Sequence, residues 1–303
     1  MLVRSSPLVG LLVLAIAAAV LTTRGDEPRH AAEQSDAGSH VFVIVLENHE
    51  FGQVIGNGQA PYINRLAQRG TLAMRYFAIS HPSLPNYLAI VGGSTFGIHS
   101  DCTDCSARGP NLALQLDGAG ISWRAYMQAM PSICYPGAEA GRYAKKHNPF
   151  VYFPSIRDDP QRCANVVPGS RLGGDLASGN LATFSWITPD LCQDGHDCGI
   201  ATSDRYLKGL VPRLLATLGP SGFLVLTFDE GVTDRGCCGV ARGGRVATIL
   251  IGPGVRGGLR VGKAYDHYSL MRTLEDVFSL PRIRKAAGAR SLRAAFSRFP
   301  SLP

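Results

Sequence analysis

Four short apolar runs constrain this chain more than any other feature: HVFVIVL at residues 40–46, TFSWI at 183–187, FLVLTF at 223–228 and VATILI at 246–251. Unbroken runs of this kind, rich in valine and isoleucine, fit strands buried on both faces. Helical spacing lies between them. It predicts helices over PYINRLAQR (61–69), SWRAYMQAM (122–130), SDRYLKGLVPRLLATL (203–218) with Ser203 as cap, and SLMRTLEDVF (269–278) with Ser269 as cap. The alternation predicts an α/β fold, a mostly parallel central sheet flanked by helices. With 303 residues, 45% hydrophobic and 17% charged, the chain can bury a substantial core and is not disordered in bulk. The expected domain covers residues 39–303. The segment near 97–175, with its Gly, Pro and Cys, reads as an irregular insertion over the sheet edge, and no internal repeat is visible.

Ligand sites in such sheets lie beyond the carboxyl ends of the strands, so the strand ends are where chemistry is sought. HVFVIVL runs into Glu47-Asn48 and FLVLTF into Asp229-Glu230. Two acidic pairs emerging side by side from a buried sheet are costly unless a cation neutralises them. Oxygen donors of this sort suit Mg²⁺, Ca²⁺ or Mn²⁺, with Zn²⁺ as a further candidate. TFSWI leads to TPDLCQDGHD, which carries Asp190 and His196 on one loop, and YDHYSL sets His267 just ahead of a helix. Singly, these are ordinary exposed acids, capping aspartates and solvated histidines. Recurring at successive strand ends, they outline one polar site. Ser83, in HPSLPNYLAIV, precedes Pro85 in the expected first turn of a helix, and so lies at the end that attracts anions. A serine there is ordinarily a cap; the surrounding acids make it a candidate nucleophile.

Residues 1–25 read as an export signal, with Arg4 near the start, an apolar run from Leu8 to Leu21, and then TTRGD. The run is shorter than the roughly 20 residues that span a bilayer. Residues 26–38 read as a polar, flexible lead-in, and the mature protein is expected to be secreted. Eight cysteines in an exported chain imply disulfides. Cys102 with Cys105, Cys192 with Cys198 and Cys134 with Cys163 are plausible among about a hundred possible pairings. A Cys-x-x-Cys zinc site competes for the first pair. The adjacent Cys237 and Cys238 are expected to pair elsewhere, since a bond between neighbours is strained. The formal charge is +7, and RIRKAAGARSLRAAFSR at 282–298 holds six basic residues and no acid. That segment reads as a solvated helical tail, or as a surface for an anionic membrane or polyanionic substrate. No aromatic interleaving points to nucleic acid. An α/β-hydrolase would need Gly-x-Ser-x-Gly, and GGSTFG around Ser94 has the wrong spacing. A secreted binding protein with a decayed site is a further class, but every polar position above is intact.

ENHEFGQVIG, HPSLPNYLAIVGG, KHNPFVYF, ITPDLCQDGHD, TFDEG and YDHYSLMRTLEDVFSLP, in this order from residue 40 to about 281, resemble the phosphoesterase family of bacterial acid phosphatases and phospholipases C, within the alkaline phosphatase superfamily. The resemblance implies an alkaline-phosphatase-like fold and a secreted, metal-dependent acid phosphatase that hydrolyses phosphate monoesters through a phosphoserine. Phospholipase C or phosphodiesterase action at the same site is the alternative. It implies Ser83 as nucleophile and Glu47, Asn48, Asp229 and Glu230 around one divalent metal ion. Asp190, His196 and His267 stand where two-metal relatives bind a second ion, and where single-metal phosphatases contact phosphate or supply protons. Asp-Glu-Gly in place of Asp-His-Gly argues against a second ion here. His147 is a further phosphate contact, as are Asn48 and Asn86, although Asn86 fits a helix-capping role equally well. The implied substrates are small phosphomonoesters or phospholipids, phosphoinositides included.

Overall fold

In the computed structural model, which describes residues 1–3 and 38–302, the four apolar runs become sheet strands. The expected export signal and lead-in lie almost wholly outside these residues. The strands are β1 (Val41–Leu46), β2 (Thr71–Phe77), β3 (Trp123–Met127), β4 (Glu139–Ala140), β5 (Tyr143–Ala144), β6 (Val166–Pro168), β7 (Phe184–Thr188), β8 (Phe223–Phe228), β9 (Arg245–Ile251) and β10 (Arg260–Asp266). β4 and β5 form a separate two-stranded ribbon, and the other eight form one sheet in the order β10-β2-β9-β8-β1-β7-β3-β6. β9 runs antiparallel to both neighbours, β2 and β8, and the remaining pairs are parallel. Every residue of β1, β7 and β8 is buried, as a strand covered on both faces requires. Helices Pro61–Arg69 and Ile200–Leu215 pack on each other, and so do Ser83–Gly92 and His267–Val277. Among the described residues, no helix is long and apolar enough to cross a membrane.

Register brings the acidic strand ends together. Leu46 of β1 pairs with Phe228 of β8, so Glu47 and Asp229 leave adjacent parallel strands at one level. Asp266 of β10 pairs with Phe77 of β2, which places the starts of the His267 helix and of the Ser83 loop at the same edge.

Several expectations need correction. SWRAYMQAM is not helical: it forms β3, between β7 and β6. Its apolar residues at helical spacing are drawn into the sheet, where Arg124 and the Tyr126 hydroxyl both bond Asp175 at 2.8 Å. The 97–175 segment is therefore not wholly irregular: it supplies β3 and β6 to the sheet. The helix expected to start at Ser203 begins at Ile200, and Ser203 is fully buried inside it. The helix expected to be capped by Ser269 is capped by Asp266, with Ser269 completing a reciprocal capping box. The basic tail is no solvated helix: it makes two short 3-10 turns, Arg284–Gly288 and Leu292–Ala295, and buries Ala286, Leu292, Ala295 and Phe296.

The disulfides are Cys102–Cys105, Cys134–Cys163, Cys192–Cys198 and Cys237–Cys238. The last pair corrects the expectation that each neighbour bonds elsewhere. Cys237 exchanges both backbone hydrogen bonds with Ala241, and this turn holds the two cysteines together while the other six bond among themselves.

Candidate active site

Ser83 is the first residue of the helix Ser83–Gly92, all of whose residues are buried. The loop before it, residues 78–82, includes a cis His81–Pro82 bond. Asn86 holds that loop in place: its Oδ1 accepts from the Ile79 and Ser80 amides at 2.8 and 3.1 Å, and its Nδ2 donates to the Ser80 and Pro82 carbonyls at 2.7 and 3.2 Å. Its side chain is fully engaged with that loop, so neither expected role holds: the helix N-cap is Pro82, without a side-chain cap bond, and no amide hydrogen is left for phosphate. The amide of Leu84, next to Ser83, donates to Asp101 Oδ1 at 2.9 Å.

Around the Ser83 hydroxyl the strand-end carboxylates converge. Ser83 Oγ donates to Glu47 Oε2 at 3.0 Å and lies 3.5 Å from Glu230 Oε1. The Tyr87 phenol, one turn along the same helix, donates to Glu47 Oε1. Glu230 Oε2 is 2.7 Å from His81 Nδ1. Asp229 Oδ1 accepts the backbone N–H of Asn48 at 3.0 Å, with Asn48 in the left-handed region at φ 54°.

The other expected positions divide. His147 is buried, its Nε2 3.3 Å from Glu47 Oε2 and its Nδ1 3.3 Å from Asp194 Oδ2. Asp190 is not part of this group. Its Oδ1 accepts from the Cys192 and Gln193 amides and closes its own turn, while Asp194, four residues on, faces His147. His196 is half-buried, with Nδ1 2.7 Å from Asp197 Oδ1 and Nε2 3.2 Å from Lys146 Nζ. Gly195 before it takes φ 101°, and a Cβ there would lie 3.1 Å from the His49 ring. His267 departs from its expected role as a proton donor. Its Nδ1 is bonded to the Tyr76 hydroxyl and its Nε2 to the Asp229 carbonyl, so neither ring nitrogen is left for a substrate. Residues that sequence reasoning missed are Asp194, Tyr87, His81, Asp101 and Lys146. Asp194 had a visible signal as the second aspartate of TPDLCQDGHD, and His81 and Lys146 fall inside HPSLPN and KHNPF, but nothing in the spacing ranks them above Asp190, Ser83 or His147.

Burial, joined by repulsion from Asp229 and Asp194, pushes Glu47 well above the usual carboxylate range. Burial likewise lifts Asp229, beside Glu230, to about 7 and Asp194 to about 8. Glu230 rises to about 7 through burial and the nearby Asp101, partly offset by Lys146. His147 is held well below its ordinary value by burial and by the neighbouring Lys146 and His196. This is a set of buried acids that, among the described residues, no guanidinium neutralises.

A cation fits it. Donor atoms of Glu47, His147 and Asp194 lie within 4.8 Å of one another. His147 Nε2, Asp194 Oδ2 and Asp229 Oδ2 are buried without a hydrogen-bond partner. Each such orphan costs about 1–3 kcal/mol, and orphaned lone pairs gathered at short range are what a metal ion satisfies. The imidazole makes the donor set mixed N/O rather than all oxygen, which suits Zn²⁺ or Mn²⁺ as well as the harder ions. Two larger cavities, of about 530 and 670 Å³, are lined by other residues and include neither Ser83 nor these carboxylates.

The profile of the Phosphoesterase family matches residues 56–281, a span that includes Ser83, His147, Asp229 and Glu230 and begins after Glu47 and Asn48. The chain belongs to this family. Among its relatives, a phosphatidylinositol-3-phosphatase of Mycobacterium tuberculosis is 33% identical over 86% of this chain and 83% of its own length. A phosphate-repressible acid phosphatase of Penicillium chrysogenum is 34% identical over 82% of this chain, which spans only 61% of that longer protein. A phosphonate monoester hydrolase from Silicibacter pomeroyi superposes with a TM-score of 0.54 at 13% identity, covering 86% of this chain and 76% of that one. At that identity the likeness is one of fold, and it places this phosphoesterase among alkaline-phosphatase-like sheets.

Proposed function

We propose that this phosphoesterase is an acid phosphatase that hydrolyses phosphate monoesters through a phosphoserine at Ser83. The observation that carries the reading is the buried Ser83 hydroxyl, bonded to Glu47 at 3.0 Å and within 3.5 Å of Glu230, beside orphaned donor atoms of Asp229, Asp194 and His147. The relatives named acid phosphatase support it.

Glu47, Asp229 and Glu230, with Asn48, His147 and Asp194 as further donors, would hold one divalent ion. Bound there, the ion lowers the pKa of the Ser83 hydroxyl and neutralises phosphoryl charge. The chain's own part is mostly positioning, because a loose phosphoryl transition state asks for little covalent work. Glu47 Oε2 takes the Ser83 proton as Oγ bonds to phosphorus and the ester P–O bond breaks. The leaving oxygen takes its proton from solvent, because both His196 ring nitrogens are engaged, one with Asp197 and the other with Lys146, which corrects the expected role of His196 as proton donor. Water then attacks the phosphoserine, releasing inorganic phosphate and returning a proton to Ser83 Oγ. Asn86 and His267 act as positioning residues, the first on the Ser83 loop and the second beneath Asp229.

A phosphoinositide or another phospholipid monoester is the second reading, supported by the mycobacterial relative named for that activity. Secretion is part of the proposal, supported by four disulfides among the described residues. The test is turnover of p-nitrophenyl phosphate against bis(p-nitrophenyl) phosphate across pH 4 to 9, roughly the span in which carboxylates and histidines titrate, with chelated and Ser83→Ala controls. Monoester turnover lost in both controls is expected. Preference for the diester would move the assignment to phosphodiesterase or phospholipase C, and turnover that survives Ser83→Ala would remove the phosphoserine.

A further inference from the structure

We infer that Lys146 is the specificity-determining cation of this site: its ammonium, set beside His196, receives the extra anionic oxygen that a phosphate monoester carries and a diester lacks. The inference rests on the phosphatase reading and adds the reason such a site would prefer monoesters.

Electrostatics creates the need. Glu47, Asp194, Asp229 and Glu230 crowd Ser83, and Asp101 stands next to it through the Leu84 amide. One divalent ion offsets part of that charge. A monoester then brings a phosphate with nearly two negative charges at neutral pH, whereas a diester brings one. A fixed protein cation therefore discriminates between them by charge.

Lys146 meets the requirement in three ways. It stands within electrostatic reach of the reacting centre: Asp101, Glu47 and Asp229 raise the Lys146 ammonium, and Lys146 in turn lowers Glu230. It is tied to the nucleophile's backbone through a single carboxylate. Asp101 Oδ1 holds the Leu84 amide at 2.9 Å and Asp101 Oδ2 holds Lys146 Nζ at 3.1 Å. Finally, an ammonium has three donors, and among the described residues it makes two contacts, to Asp101 and to His196 Nε2 at 3.2 Å, while the side chain stays 24% exposed. The third N–H is available to a ligand entering from solvent.

Both partners of the lysine are held by short cross-linked loops. Asp101 directly precedes the Cys102–Cys105 loop, which Lys145 Nζ and the Tyr152 hydroxyl brace by donating to the Thr103 and Cys102 carbonyls at 2.6 and 2.9 Å. His196 lies within the Cys192–Cys198 loop. A lysine loses much rotamer freedom when it is fixed, and prepositioning removes that cost from the binding step. A diester would put a neutral substituent against the same ammonium and strip it of water with no charge in return.

The test compares wild type, Lys146→Gln and Lys146→Arg for kcat/KM on p-nitrophenyl phosphate and on bis(p-nitrophenyl) phosphate, and for binding of inorganic phosphate by calorimetry. For Lys146→Gln the monoester-to-diester ratio is expected to fall about 100-fold, with phosphate affinity falling in parallel, and Lys146→Arg is expected to recover part of both. If the two substrates fall together, or phosphate binds Lys146→Gln as it binds wild type, the inference is wrong. A wild type that hydrolyses neither ester would defeat the phosphatase reading instead, and the phosphate isotherms would still judge Lys146.

Discussion

At the nucleophile, Glu47, Asp229 and Glu230 leave the parallel strands β1 and β8 at one edge and close on the Ser83 hydroxyl. These strand-end acids were legible because parallel strands deliver their next residues to one edge whatever the loops do. Asp194, Tyr87, His81 and Asp101 were not, because their roles depend on how loops fold back, which residue spacing does not encode. Tyr87 illustrates the difference: in the sequence it is an apolar helix residue, yet its hydroxyl orients Glu47. Tyr87→Phe is expected to weaken divalent-ion affinity by about 10- to 100-fold, as removal of a hydrogen bond to a ligating carboxylate does. Isothermal titration with the metal alone checks this, and unchanged affinity would detach Tyr87 from the site. The carboxyl values carry a pH consequence. Asp194 at about 8 and Asp229 and Glu230 at about 7 sit above their unfolded values, so the folded protein retains protons that the unfolded chain has released. Their stabilising effect is complete only below the unfolded carboxylate range and is lost as pH rises through 7 to 8. His147 and His267, held low, act the other way, but only as pH falls below their ordinary 6.5. Above that value the carboxyls decide. Metal-free protein is expected to lose on the order of 5 °C in Tm as pH rises from about 6.5 to 8, and a saturating divalent ion is expected to flatten the slope. A melting curve insensitive to pH in chelator would contradict the raised values.

At the scale of elements, buried runs were readable and half-buried ones were not. β1, β7, β8 and β9 announced themselves as continuous apolar stretches. β2, with Arg75 beside a register irregularity, and the edge strand β10, with Arg260 and Lys263, carry charges and gave no such run. β3 failed for a different reason: Trp123, Tyr126, Met127 and Met130 recur at helical spacing, and only the sheet context overrides it. The helix Ser83–Gly92 was correctly placed by its proline, and its position depends on Asn86. Asn86→Ala strands the Ile79 and Ser80 amides and the Ser80 and Pro82 carbonyls inside the protein. The expected cost is about 3 kcal/mol, read by denaturant unfolding. A fall in kcat larger than any rise in KM is also expected, because the variant displaces the nucleophile rather than a substrate contact. A variant as stable and active as wild type would show that the loop needs no such anchor.

Over the whole molecule, one sheet edge gathers the ends of β1, β8, β7, β2 and β10, so residues far apart in the chain meet at Ser83. Family membership and the fold were legible because this arrangement needs all its motifs in order. The basic C-terminal segment was misread because charge counts do not reveal that Leu292, Ala295 and Phe296 pack inward while their arginines stay at the surface. The proposed chemistry turns on one covalent event, transfer of phosphate to Ser83. The most direct measurement is acid quenching of wild-type enzyme during turnover of a phosphomonoester, followed by peptide mass mapping, with Ser83→Ala run in parallel. A single phosphoryl group is expected on the peptide that holds Ser83, absent from the variant; turnover with no adduct, or an adduct on another residue, would overturn the phosphoserine chemistry.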